Sequence, residues 1–182
     1  MNRIQNIFLE YKNLERPLVH VIIAEFFIQM VNATFMAILP LFLVRSDYTK
    51  DEIALLITFR FIGVFSLAYP IGKYIKGKAL MPFFYISSIG VPLFGLCAIF
   101  FAYQHAYLPL HICLLLWGAS FTFMQIPVAP FILRNASKDN QTAGLSLSYS
   151  TWSFASIISG IIIAILYSLD KNIFDEGRLL IL

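Results

Sequence analysis

Four polar side chains stand inside long apolar runs: Glu25, Asn32, Arg60 and Gln125. A charge at the centre of a bilayer costs roughly 2.5–3.5 kcal/mol on insertion scales, so such residues mark binding, ion movement or tight pairing. Glu25 is a candidate proton or cation site. Arg60 keeps its charge in nearly any surroundings and could hold an anionic group. Helix rise sets which of them can meet. With about 1.5 Å per residue, Glu25 lies roughly 28 Å below one end of its run and Asn32 roughly 18 Å. Arg60 lies about 12 Å below the same face of the membrane, and Gln125 about 27 Å. The gap of about 16 Å between Glu25 and Arg60 is too long for two side chains to bridge. Asn32 is the better neighbour for Arg60, and Gln125 is level with Glu25.

The elements that position these groups follow from composition. Of 182 residues 59% are hydrophobic and 13% charged, against roughly 45–50% and 25% in a soluble domain. Lipid can cover that much apolar surface and a soluble core of this size cannot. The pattern predicts an all-α integral membrane protein with five transmembrane helices and the start of a sixth. The predicted spans cover about 18–44, 53–75, 79–103, 107–133 and 143–169, with a sixth beginning at about 179. Each exceeds the roughly 20 residues needed to cross the hydrocarbon. Thr49 and Glu52 have capping-box spacing, so the second helix should start near Lys50. Several spans contain proline (Pro40, Pro70, Pro82, Pro92, Pro127 and Pro130 among them), which membrane helices tolerate because neighbours re-satisfy the freed backbone groups.

Residues 1–17 form a lead-in. Ile4, Ile7, Phe8, Tyr11 and Leu14 recur at helical spacing, with charges mostly opposite. That suits a helix lying on the membrane surface or a plain cytoplasmic lead-in, and Pro17 can open the first span. With the N-terminus inside, the inner segments hold Arg3, Lys12, Arg16, Lys73, Lys76, Lys78, Arg134 and Lys138, and the outer ones Arg45, Lys50, Lys171 and Arg178. Eight basic residues against four obey the positive-inside rule, which predicts a multi-pass protein of the plasma (inner) membrane with a cytoplasmic N-terminus. The four apolar residues 179–182 cannot span on their own. They lead us to expect part of a longer protein, the alternative being a complete five-span chain with a frayed tail.

Loop lengths, orientation and local motifs resemble the N-terminal half of a major facilitator superfamily transporter. The stretch Leu39-Pro-Leu-Phe-Leu-Val44 is similar to the usual exit of the family's first span. Pro70-Ile-Gly-Lys-Tyr-Ile-Lys-Gly-Lys78 sits where the family's cytoplasmic signature loop sits, roughly Gly-x-x-x-Asp-Arg-x-Gly-Arg-Arg. Gly77 and Lys78 match the second glycine and the basic residue after it. Pro70 replaces the first glycine, Tyr74 the aspartate and Ile75 the next basic residue, leaving Gly72 as the candidate for the close helix approach. Gly118 resembles the glycine of the family's fourth-span segment, whose arginine is here Leu114. A weak echo joins 40–51 to 130–139, the ends of the first and fourth spans, as inverted three-helix repeats imply. In the family these two spans face a central cavity. The resemblance therefore implies an inner polar layer of Glu25 with Gln125 and an outer one of Asn32 with Arg60. It also implies a second, C-terminal half as partner.

Two function classes follow. The first is part of a secondary active transporter that moves a small solute by alternating access. The second is a non-transporting membrane subunit or scaffold of a larger complex. An enzyme is not expected, because no nucleophile–base set or carboxylate pair appears. Cys97 and Cys113 read as small apolar packing residues, and His20, His105 and His111 are isolated, so neither a metal nor a cofactor is expected. A net charge of +3 without a basic block gives no reason to expect nucleic acid. Trp117, Trp152 and the many phenylalanines read as lipid-facing or packing residues rather than a solute cage.

Overall fold

The computed structural model describes residues 14–169 and 180–181. Most of the amphipathic lead-in, the segment 170–179 and all but two residues of the expected sixth span lie outside the described residues.

Among the described residues five helices long and apolar enough to cross a membrane follow one another: α1 (Arg16–Arg45), α2 (Lys50–Tyr74), α3 (Met81–Tyr103), α4 (Tyr107–Asn135) and α5 (Gln141–Leu169). Their ends fall within three residues of those read from hydropathy. The second helix begins at Lys50 because Thr49 Oγ1 accepts from the Glu52 amide and the Glu52 carboxylate accepts from the Thr49 amide. That closes the two-way cap and satisfies free N–H groups of the first turn. Pro17 sits in the first turn of α1 and Pro82 in that of α3, where an N–H would have no partner anyway. Pro40, Pro70, Pro92, Pro127 and Pro130 lie inside helices.

The helices pair off along three main seams: α2 on α4, α3 on α4, and α1 on α5. In lipid this packing has no hydrophobic drive, so close backbone contact and buried polar bonds carry it. The α2–α4 seam is built on glycine. A Cβ on Gly63 would run into the Leu115 carbonyl, and one on Gly118 into the Arg60 carbonyl. The two backbones thus touch where a larger residue would force them apart. Gly72 is a correction to the sequence reading. It has open space where its side chain would be, so it supplies no close approach, and the role falls to Gly63 and Gly118. A fully buried aromatic centre lies beside this seam, where the rings of Phe35 and Trp117 sit 4.9 Å apart.

One end of the bundle is tied by backbone-directed bonds. Arg134 donates to the carbonyls of Lys78 (2.9 Å) and Ile75 (3.0 Å), holding the α2–α3 loop against the end of α4. Gly77 turns that loop with a φ of +71°, which a side chain would strain. The Lys78 ammonium lies 5.6 Å from the centre of the Tyr74 ring. At the same end Glu15 accepts from the Ser137 amide (2.9 Å), linking the start of α1 to the α4–α5 loop.

Candidate functional site

A cavity of about 700 Å³ opens between α1, α2, α4 and α5. On α1 its wall is a polar stripe. Glu25, Gln29 and Asn32 follow at i, i+4 and i+7, the spacing that places side chains on one helix face. All three are buried, and beyond them the small residues Ala33 and Ala37 keep the wall open. Arg60 enters from α2, Gln125 and Phe121 from α4, and Ser148, Tyr149 and Trp152 from α5.

Arg60 is 5% exposed. Its Nη2 donates to Asn32 Oδ1, the pairing expected from helix rise. Its guanidinium carbon lies 4.8 Å from the Trp117 ring centre, 5.0 Å from Phe61 and 5.6 Å from Phe121. Aromatic faces stabilise a cation by roughly 0.5–2 kcal/mol each, more when desolvated. Three rings and one amide oxygen offset part of the cost of burying this charge. No carboxylate among the described residues pairs with it, and its buried Nε has no hydrogen-bond partner. Of the described acids only Glu25 lies away from a helix end, and it stands seven residues along α1 from Asn32, roughly 10 Å.

Glu25 has a different setting. Ser148 Oγ donates to its Oε2 at 2.7 Å, bridging α1 and α5. Gln125 lines the same cavity, but it is exposed there and is not the partner that holds Glu25. Glu25 and Gln125, expected from the resemblance to share an inner layer, line one cavity, and a serine on α5 is the side chain that bonds Glu25. Ser159 Oγ adds a second bridge between these helices, to the Met30 carbonyl (3.3 Å).

Sequence reasoning missed Gln29 and the α5 hydroxyls. Gln29 had a signal, because it lies on the helix face that joins Glu25 to Asn32. Its Oε1 is buried without a partner. The serines gave none, since a hydroxyl in a membrane helix commonly bonds its own chain. Ser150 does so to Ser146 and Ser156 to Trp152, each at 2.8 Å. Trp117 packs at the core, as read. Trp152 is exposed onto the cavity, beside Tyr149, and so is also wall. Gly72, Gly77 and Lys78, the candidates of the α2–α3 loop, lie outside this cavity. Gly77 and Lys78 belong to the loop that Arg134 clamps.

Protein-family models, curated proteins and solved structures include no match to this chain.

Proposed function

We propose that this chain is part of a secondary active transporter that moves a small solute by alternating access, with the α1–α2–α4–α5 cavity as its solute pathway. The observation that carries the reading is that, among the described residues, the one acid and the one base found well inside the apolar helices both line one cavity large enough for a small solute. Buried ionisable groups on a shared cavity are costly, and transport chemistry is the usual reason for keeping them. Exchanging α1 with α4 and α2 with α5 turns the α2–α4 seam into the α5–α1 seam. Such an exchange is expected of inverted three-helix repeats and supports the major facilitator reading. In that reading a second bundle closes the cavity opposite α1 and α4, and the N-terminus lies in the cytoplasm.

Glu25 takes the coupling role in this scheme. It gains and loses a proton as its side of the cavity opens and closes, with Ser148 holding the carboxylate between turns. Proteoliposomes carrying a trapped pH dye and the full-length protein test this with a panel of organic acids, amino acids and sugars. At least one solute should dissipate an imposed pH gradient through the wild type, and Glu25→Gln should abolish the proton movement. Proton movement that persists unchanged in Glu25→Gln would remove the coupling role. A panel that moves neither solute nor protons would favour a scaffold or subunit.

A further inference from the structure

We propose that the solute is a small oxyanion-bearing molecule, held at Arg60, with a hydroxyl or amino group that Gln29 receives. The inference rests on the transport reading and adds the substrate class to it.

A guanidinium presents five N–H donors in a planar fork that matches the two oxygens of a carboxylate or a phosphate. In Arg60 one of these reaches Asn32, which is neutral. The Nε–H is buried with no acceptor. A buried polar donor without a partner is costly, and more so when charged, so a structural arginine would have both its charge and its donors met within the protein. The rings of Trp117, Phe61 and Phe121 lie within 5.6 Å of the guanidinium carbon and bring no carboxylate or carbonyl acceptor to its Nε–H. The described acids do not neutralise it, and the cavity runs up to it. An incoming oxyanion would supply both missing features, the countercharge and the acceptor.

Gln29 carries the complementary vacancy, a buried Oε1 acceptor without a donor on the same cavity wall. It stands three residues from Asn32 on α1, about 4.5 Å along the helix. An unmatched donor and an unmatched acceptor on one cavity fit a short hydroxy acid, an amino acid or a phosphate that carries its own hydroxyl. A neutral molecule of the same shape would satisfy Gln29 and leave Arg60 uncompensated. A purely cationic solute would meet Arg60 as a like charge.

The full-length protein in lipid nanodiscs, titrated with sodium lactate, inorganic phosphate and neutral lactamide at constant ionic strength, tests this. Fluorescence of Trp117 and Trp152 and the melting temperature are the readouts. A saturable response to lactate or to phosphate, with none to lactamide, is expected. The responding anion separates a carboxylate site from a phosphate site. Arg60→Gln should weaken that response about ten- to hundredfold, Arg60→Lys should restore part of it, and Gln29→Leu should weaken it several-fold. Should Arg60→Gln not fold, Arg60→Lys carries the test, since it keeps the charge, loses the planar fork and should bind the anion more weakly than the wild type. A wild type that responds to neither anion, an equal response to lactamide, or a folded variant at Arg60 with undiminished binding overturns the proposal. Flux measured in liposomes keeps the two readings apart. Anion binding without flux leaves the site standing and removes transport, whereas flux of neutral solutes with no anion response does the reverse.

Discussion

The α2–α4 seam and the α1–α5 seam are built from similar helices and do opposite things. In the first, Gly63 and Gly118 bring two backbones into contact and leave no room for a methyl group. In the second, Ser148 and Ser159 reach across to Glu25 and to the Met30 carbonyl, and a cavity lies alongside. Gly160, on α5, has open space at its Cβ position. One seam is closed by shape and the other is held by a few polar bonds. A helix pair held by polar bonds can part and re-form at modest cost, while one locked by backbone contact moves as a unit. The comparison therefore assigns rigidity to α2–α4 and adjustability to α1–α5, with the cavity between them.

The comparison breaks most easily at Gly118. Gly118→Val drives a side chain into the Arg60 carbonyl and should cost about 1–3 kcal/mol or more, enough to lose monodisperse protein in a fluorescence-detected melting assay. Gly160→Val, on the adjustable seam, should shift stability by less than about 0.5 kcal/mol. Equal losses at the two glycines would show that the seams do not differ.

Arg134→Ala removes two bonds to the α2–α3 loop carbonyls. Because the group is partly solvated, a loss of about 1 kcal/mol is expected, with faster tryptic cleavage at Lys76 and Lys78. An unchanged cleavage rate would show that the clamp does not order the loop.

Glu25→Gln keeps an acceptor for the Ser148 hydroxyl, so stability should change by less than about 1 kcal/mol while proton movement is lost. A large drop in melting temperature would instead make Glu25 a structural pin of the second seam.

The smallest effect concerns Glu15. The Ser137 amide, together with Asn140, holds its carboxyl below the usual carboxylate range. A depressed folded value contributes stability at neutral pH that is lost as the pH drops below about 4. Wild type and Glu15→Gln should thus differ slightly at pH 7 and converge in acid. A difference that grows in acid would contradict the assigned sign.

The fold was legible where local chemistry decides it. Hydropathy and the Thr49–Glu52 cap located the helices because both are set within a few residues of chain. Helix rise put Arg60 level with Asn32 because both lie a short, countable distance from one loop. What failed depended on contacts between distant helices. Gly72 and Gly63 look alike as sequence, and only the approach of α4 separates them. Glu25 took a partner from α5 because depth alone does not say which of several level helices lies nearest. Ser148 was indistinguishable from Ser150 until the helices were packed. Gln29 was readable from periodicity, as the middle residue of a polar face whose two ends were recognised.

Two-sided labelling of the cavity tests the central claim most directly. With Cys97 and Cys113 replaced by alanine, single cysteines at Ala33 and Ala129 would be treated with a membrane-impermeant thiol reagent from one face of the membrane, then from the other. If α1, α2, α4 and α5 surround a pathway that opens alternately, both positions react from both faces. Reaction from neither face, or from the same single face at both positions under every condition, would contradict alternating access.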